Sequence, residues 1–238
     1  MIDWLQRWLK PTMRPATGPR DPRHPGWCEY TKEIVVPRMV ANQATQTKVR
    51  LRPLLFEDSR EWSRLRLRDQ IHLEPVEPTL PGTWESAHDD AGWKRYFYSL
   101  QEAAREGNAI PFAIIADGSF VGQITIDEIR GMPWCDATLG YWVDRDYWGR
   151  GIASAACALA IDHAFERVGL HRLTATFMPD NPASGKVLAR NGFQEEGLLR
   201  GNMHINGRFE DHFFMGLNRD DFTRTAVQRL LGKQSHHR

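Results

Sequence analysis

Cysteine is scarce in this chain: Cys28, Cys135 and Cys157 are the only three among 238 residues. They are odd in number, widely spaced and free of any C-x-x-C or histidine pairing pattern. That argues against a disulfide framework or a structural zinc and favours a reducing cytoplasm. An excess of charge is also missing, with 31 Lys and Arg against 30 Asp and Glu and a formal net charge of +1. Such a balance gives no electrostatic case for tight binding to nucleic acid or to an anionic membrane. No stretch approaches the roughly 18 apolar residues of a membrane span, and residues 1–10 lack the long apolar core of a signal peptide. Internal repeats and low-complexity segments are absent too. What is present is 41% hydrophobic and 11% aromatic content, ample for a buried core.

The chain divides into an extension and linker at 1–48, a main domain at 49–218, and a C-terminal helix and tail at 219–238. In the extension, Ile2, Leu5 and Leu9 share one helical face beside Trp4 and Trp8 until Pro11 stops the pattern. This is a short helix that packs on the domain or docks a partner. Residues 11–26 hold five prolines and two glycines and read as an extended or mobile linker. A short strand is expected at 34–36, the first strand of the main domain at 49–55, and a charged helix at 57–67. Residues 72–78 form a proline-rich loop carrying Glu74 and Glu77, and residues 93–105 an amphipathic helix. The clearest hairpin pairs 112–116 with 120–129 around Asp117-Gly118-Ser119, and a strand at 136–143 follows. Beyond it come a helix at 152–168 that is apolar over most of its circumference and a strand at 171–177. A short helix opens at Pro182 and is capped by Gly192. Strands at 193–201 and 209–217 flank Asn206-Gly207, and a helix falls within 219–231. His236 and His237 belong to a short tail. The element order is that of an α+β protein with mostly antiparallel strands.

The stretch from Asp136 to Ser154 organises the rest. A strand ending at Val143 runs through a polar turn to Gly149 and Gly151 and then into a helix start. Glycines let the loop curl its N–H groups inward, and the first helical turn adds unpaired N–H groups and a positive dipole end. The product is an anion cradle. It is not a P-loop, because Ile152 and Ala153 follow Gly151. Nor is it a dinucleotide turn, because Ser154 stands where the third glycine belongs and the next strand ends without an acid.

Gly149-Arg150-Gly151-Ile152-Ala153, followed one strand later by Asn181, Ser184 and Gly192-Phe193, resembles the Gcn5-related N-acetyltransferases over about residues 49–217. Leu73-Glu-Pro-Val-Glu-Pro78, Leu139-Gly-Tyr141, Tyr147-Trp-Gly-Arg-Gly151 and Met178-Pro-Asp-Asn181 look most like the ribosomal-protein-alanine N-acetyltransferases within them. The resemblance implies the acyl-CoA N-acyltransferase fold, a mixed sheet with helices on both faces. It implies acetyl-CoA as donor and a protein N-terminus as acceptor, with a monomer or dimer as the assembly. On the family pattern, Trp148, Gly149, Arg150, Gly151, Ile152, Ala153 and Ser154 would hold the pyrophosphate. Backbone groups of Tyr141, Trp142 and Val143 would line the pantetheine arm. Many relatives carry Gln or Arg where this chain has Trp148. Many also carry a tyrosine after the asparagine helix, where this chain has Val187, Leu188 and Phe193.

Acetyl transfer to an amine needs a held donor, a neutral amine, a site for the oxyanion and a proton for the leaving thiolate. A backbone N–H near Tyr141 or Trp142 is the expected oxyanion donor. Ser184 is the expected partner of the sulfur, with water as the alternative. Asn181 either bonds the pantetheine amides or caps the helix at Pro182, and the two roles are compatible. Glu74 and Glu77 are candidates for holding a cationic amine. Glu74, Glu77, Glu128 and Asp211 are candidates for a base acting through water, and His204 ranks below them. Three functions stay open at this level: acetylation of a protein α-amine such as ribosomal alanine, acetylation of a polyamine or aminoglycoside, and a non-catalytic acyl-CoA-binding module.

Overall fold

The structure, a computed structural model, describes residues 18–40 and 43–234. The helix expected at 1–10 and the tail at His236-His237 lie outside the described residues. Eight strands form one sheet in the order β1-β2-β3-β4-β5-β6-β8-β7. They are β1 Ile34–Val40, β2 Gln43–Pro53, β3 Ile110–Ala116, β4 Ser119–Arg130, β5 Asp136–Val143, β6 Arg172–Phe177, β7 Gln194–Ile205 and β8 Arg208–Asn218. Among the described residues seven α-helices accompany them: α1 Ser59–Arg68, α2 Gln70–Leu73, α3 Trp84–His88, α4 Asp90–Arg105, α5 Ile152–Asp162, α6 Pro182–Asn191 and α7 Ala226–Gln234.

β3 is buried along its whole length and anchors the sheet centre. The β3–β4 turn has positive φ at Asp117 and Gly118, and the β7–β8 turn has it at Asn206 and Gly207, as tight hairpins require. One face of the sheet is covered by α1 and α4, where Trp62, Trp93 and Phe97 pack with Leu54, Ala113 and Ile115. The other is covered by α5, whose residues from Ala155 to Ile161 are all buried, together with Leu188 of α6 and Ala226, Val227 and Leu230 of α7.

Several boundaries differ from expectation. The division expected between 48 and 49 runs through β2, and β1 pairs with β2 from Ile34↔Val49 to Val40↔Gln43. The segment before β1 is packed on the sheet and α4 instead of linking freely. Gly26 is buried against the Ala104 backbone, the Cys28 thiol donates to Pro111 O (3.4 Å), and Thr31 N–H donates to Leu51 O (3.0 Å). The expected loop at 72–78 is helical: α2 runs into a 3₁₀ turn at Glu74–Val76, where Pro75 is tolerated because first-turn N–H groups need no helical partner. α3 was not anticipated; its signal is Thr83, which accepts Ser86 N–H, while Ser86 Oγ accepts Thr83 N–H. The helix expected to span 152–168 turns π-helical from His163 to Val168.

Among the described residues β5 and β6 are the one parallel pair, and they pair over Asp136↔Arg172, Ala137↔Leu173 and Thr138↔Thr174. Beyond Thr138 the strands part. β5 keeps β4 on one side, from Thr138↔Asp127 to Val143↔Gly122, and β6 keeps β8 as far as Phe177↔Phe213. The opened edge between them positions the candidate site.

Candidate active site

The loop after β5 curls where the glycines allow. Gly149 (φ 68°) and Gly151 (φ 75°) are left-handed, and Gly151 is the N-cap of α5. Ala155 N–H closes the first helical bond, to Gly151 O (3.0 Å). The N–H groups of Ile152, Ala153 and Ser154 therefore have no acceptor within the helix. A Cβ placed on Gly149 would meet nothing within 4 Å, so the loop is open at that glycine. The Arg150 guanidinium lies 4.8 Å from the Tyr147 ring centroid. This is a site suited to a diphosphate.

Backbone groups of β5 extend the donor set. Asp144 N–H donates to Val121 O (2.8 Å) and Trp142 pairs with Gln123, so both direct their backbone groups at β4. Alternation turns Tyr141 and Val143 the other way, onto the edge that β6 has left. The Trp148 indole N–H donates to Val143 O (2.7 Å), which leaves the Tyr141 N–H and C=O on that edge. The backbone role expected of Trp142 is thus corrected. Its peptide is committed to the sheet, and its side chain packs instead with the α1–α4 cluster.

Across the gap stands α6. Asn181 caps it, accepting Ser184 N–H at 3.2 Å. Gly185 allows its first turn to approach β6, since a Cβ there would lie 2.6 Å from the Phe177 ring. Tyr141 OH lies 2.9 Å from Ser184 Oγ and 3.2 Å from Ser184 O. Burial pushes the Tyr141 phenol far above its ordinary value, so it stays protonated and able to donate. Where a tyrosine was sought after the asparagine helix, β5 thus supplies one from its side chain. Sequence reading singled out Tyr141 for its backbone alone.

The opposite face of β5 is open at Gly140. Register pairs Gln123 with Trp142, Thr125 with Gly140 and Asp127 with Thr138 on this face. Gly140 is exposed, and a Cβ there would meet nothing within 4 Å. A bulge follows Asp127 in β4. It sets Glu128 in the left-handed region (φ 54°), a conformation usually left to glycine at such a bulge. The Asp127 carboxylate accepts Glu128 N–H (2.9 Å), and Thr138 Oγ1 donates to Glu128 Oε2 (3.3 Å). Thr138 Oγ1 also lies 3.2 Å from Thr174 Oγ1, where β5 and β6 part. Glu128 is therefore brought to the mouth of the gap.

The other acidic candidates each have partners of their own. Glu77 has both oxygens on the Arg66 guanidinium. Glu74 accepts Gln70 Nε2 (2.9 Å) within its own turn, and Asp211 accepts Gly201 N–H (2.7 Å) on the β7–β8 hairpin. His204 Nδ1 bonds Thr79 Oγ1 (2.9 Å), holding the hairpin to the segment after Glu77.

Two arginines near the end of α1 were missed. Arg66 is buried, 4.9 Å from the Trp84 ring centroid, 5.2 Å from Trp142 and 5.8 Å from Trp62. Its Nε donates to His88 Nε2 (3.0 Å), and His88 Nδ1 donates to Trp84 O (2.7 Å). Burial, then the Arg66 charge, lowers His88 to about 3, so it is neutral. Arg68 bonds both oxygens of Asp69 (2.8 Å each), Asp146 (2.8 Å) and Asp144. Burial by itself would raise Asp69; the bonds from Arg68 and from Arg145 N–H outweigh it and hold the carboxyl below its ordinary range. Asp144, Arg145 and Asp146 lie 76 to 78 positions from the Arg68 and Asp69 groups they bond, out of reach of any local pattern.

Comparison with known proteins identifies the family. A family model described as acetyltransferase (GNAT) domain matches residues 48–194. The chain is similar to the probable N-acetyltransferase YjcK of Bacillus subtilis, at 35% identity over 72% of this chain and 94% of that one. It is also similar to the ribosomal protein uS5-alanine N-acetyltransferase of Escherichia coli, at 27% identity over 59% of this chain and 76% of that one. Among solved structures it resembles Mycobacterium smegmatis RimJ in complex with CoA-disulfide. That likeness has a TM-score of 0.82 and 38% identity, over 89% of this chain and 97% of that one.

Proposed function

The chain belongs to the acetyltransferase (GNAT) family, and from that premise we propose that it moves the acetyl group of acetyl-CoA to the α-amine of a protein N-terminus, alanine of a ribosomal protein being the foremost candidate. The observation that carries the reading is the parted edge of β5. A hydroxyl pair, Tyr141 and Ser184, stands on one side of it and Glu128 on the other.

Acetyl-CoA supplies an activated thioester; the chain supplies the rest. Ile152, Ala153, Ser154, Gly149, Gly151 and Arg150 would hold the diphosphate, Trp148 would close the loop edge, and Asn181 and the free groups of Tyr141 and Val143 would take the pantetheine amides. The Tyr141 N–H would stabilise the carbonyl oxygen as its charge grows. An α-amine has a pKa near 7.7 to 8.0, so roughly a tenth is already neutral at pH 7. Glu128 accepts the remaining proton through water. Ser184 would pass a proton to the departing sulfur and be resupplied by water, balancing the proton the amine gives up, while the Tyr141 phenol stays protonated and holds the Ser184 hydroxyl by a hydrogen bond.

Two further arguments favour this over the alternatives. A polycation needs several unengaged carboxylates, and Glu77 is taken by Arg66. A purely binding module has no use for a hydroxyl pair beside the thioester path. The reading takes acetyl-CoA and a protein N-terminus as partners, assigns no role to nucleic acid or membrane, and places the protein in the cytoplasm. Among the described residues no helix is long and apolar enough to cross a membrane.

The test is thiol release from acetyl-CoA with an alanine-starting peptide, the same peptide blocked at its α-amine, and spermidine. Turnover on the first substrate alone supports the reading. Preference for spermidine, or no turnover by folded protein that binds coenzyme A, overturns it.

A further inference from the structure

Arg66 and Arg68 sit two residues apart at the end of α1, a spacing that sends their side chains to different sides of a helix. We propose that they are positioning residues that set the two halves of the site separately: Arg68 the loop that leads into the diphosphate cradle, Arg66 the wall of the acceptor cleft. The acceptor half rests on the transferase reading above.

For Arg68 the argument is one of continuity. Its guanidinium reaches Asp144, the residue after β5, and Asp146 in the 3₁₀ turn Arg145–Tyr147. Asp144 in turn accepts Asp146 N–H (2.9 Å), and Arg145 N–H donates to Asp69 (3.2 Å). That turn leads through Trp148 directly to Gly149. Every bond holding the turn to α1 thus passes through the Arg68–Asp69 corner, so the direction in which the cradle loop leaves β5 is set there.

Arg66 holds the other half. Its fork clamps both oxygens of Glu77 while Trp84 and Trp142 sandwich the guanidinium and His88 fixes Nε. Trp142 shares its face of β5 with Gly140, which is exposed, and on the transferase reading that face is the floor of the acceptor site. Glu77 ends the helical segment beside that floor, and two residues later Thr79 N–H donates to His204 O (2.9 Å) on the β7–β8 hairpin. The clamp on Glu77 therefore sets how far the segment from Gln70 to Glu77 stands from the floor. Lysine cannot reproduce either clamp, because an ammonium keeps the charge but loses the planar fork.

Full-length Arg68→Lys and Arg66→Lys test the division. Three readouts apply: the calorimetric Kd for coenzyme A, the KM for the alanine-starting peptide, and hydrogen exchange over residues 70–79. Arg68→Lys is expected to weaken coenzyme A binding about tenfold with peptide KM within about twofold. Arg66→Lys is expected to raise peptide KM about tenfold and to lose protection at 70–79, with coenzyme A binding within about twofold. If either lysine variant fails to fold, the charge-balanced pairs Arg68→Gln with Asp144→Asn and Arg66→Gln with Glu77→Gln carry the same measurements. A shared shift of both constants in both variants, or no shift in either, overturns the proposal. If the wild-type protein leaves the peptide untouched, the acceptor reading has failed. Coenzyme A affinity and exchange still decide the division between the arginines.

Discussion

Replacing Glu128 by glycine is expected to make the protein more stable and less active. Glu128 is held at φ 54°, and a left-handed backbone costs a side-chain-bearing residue about 1–2 kcal/mol. Glycine removes that cost but loses roughly 0.5–1 kcal/mol to the greater freedom of its unfolded chain. The Asp127 bond to the position-128 N–H survives the change. The bond from Thr138 (3.3 Å) is long and joins an exposed carboxylate, so its loss subtracts little. The net gain is about 0.5–1 kcal/mol, which for a chain of this size is a rise in Tm of about 1–4 °C. Activity moves the other way: roughly a tenth of the α-amine is neutral at pH 7, so losing the base that deprotonates the rest lowers the rate up to about tenfold. That loss should shrink as pH rises past the α-amine pKa near 8 and the acceptor deprotonates unaided. Calorimetric melting and thiol release measured from pH 6.5 to 9 provide the assay, with Glu128→Gln as the control that removes the charge and keeps the strain. A destabilised glycine variant would refute the strain argument, and undiminished turnover at pH 7 in both variants would refute the assignment of the base.

The remaining predictions concern other parts of the site and its support. His88, lowered to about 3, is neutral when folded but titrates near 6.5 when unfolded. Below 6.5 the unfolded chain therefore binds more protons, and stability falls as pH drops toward 3. The loss is roughly 2 kcal/mol at pH 5; urea midpoints from pH 7.5 to 5 should fall in the wild type and fall less steeply in His88→Gln, and parallel curves would disprove the assignment. His163, lowered to about 4 chiefly by burial, adds in the same direction. Ser184→Ala and Tyr141→Phe are each expected to slow single-turnover transfer about tenfold or more while leaving coenzyme A affinity within about threefold. A loss confined to affinity would move both residues out of the chemistry. Gly151→Ala sets a side chain at φ 75° and 3.1 Å from Val36 Cγ1, so it should cost about 1–2 kcal/mol of stability and weaken coenzyme A binding, both read by melting with and without ligand. A melting point unchanged from wild type would show that the cradle glycine is not required by its backbone.

Local chemistry made much of this protein legible from its residues in order. Glycines at 149 and 151, an asparagine ahead of Pro182, Asp117-Gly118 and Asn206-Gly207 turns, and an alanine-rich apolar helix each constrain φ, capping or burial within a few residues. They marked the strand, cradle and helix that lie at the centre of the fold, and with them the family. Tertiary structure decided what depends on distant partners. The bulge that carries Glu128 to Thr138, the reach of the Tyr141 phenol to Ser184, the pairing of Arg66 with Glu77 and the tie of Arg68 to Asp144 join separate elements. The same holds for which backbone groups of β5 are free, since Tyr141 and Trp142 differ only in which neighbour strand they face. A side chain's type is written in the chain, but its ionic partner and the strand edge it borders are set only when the sheet has assembled and parted at Thr138.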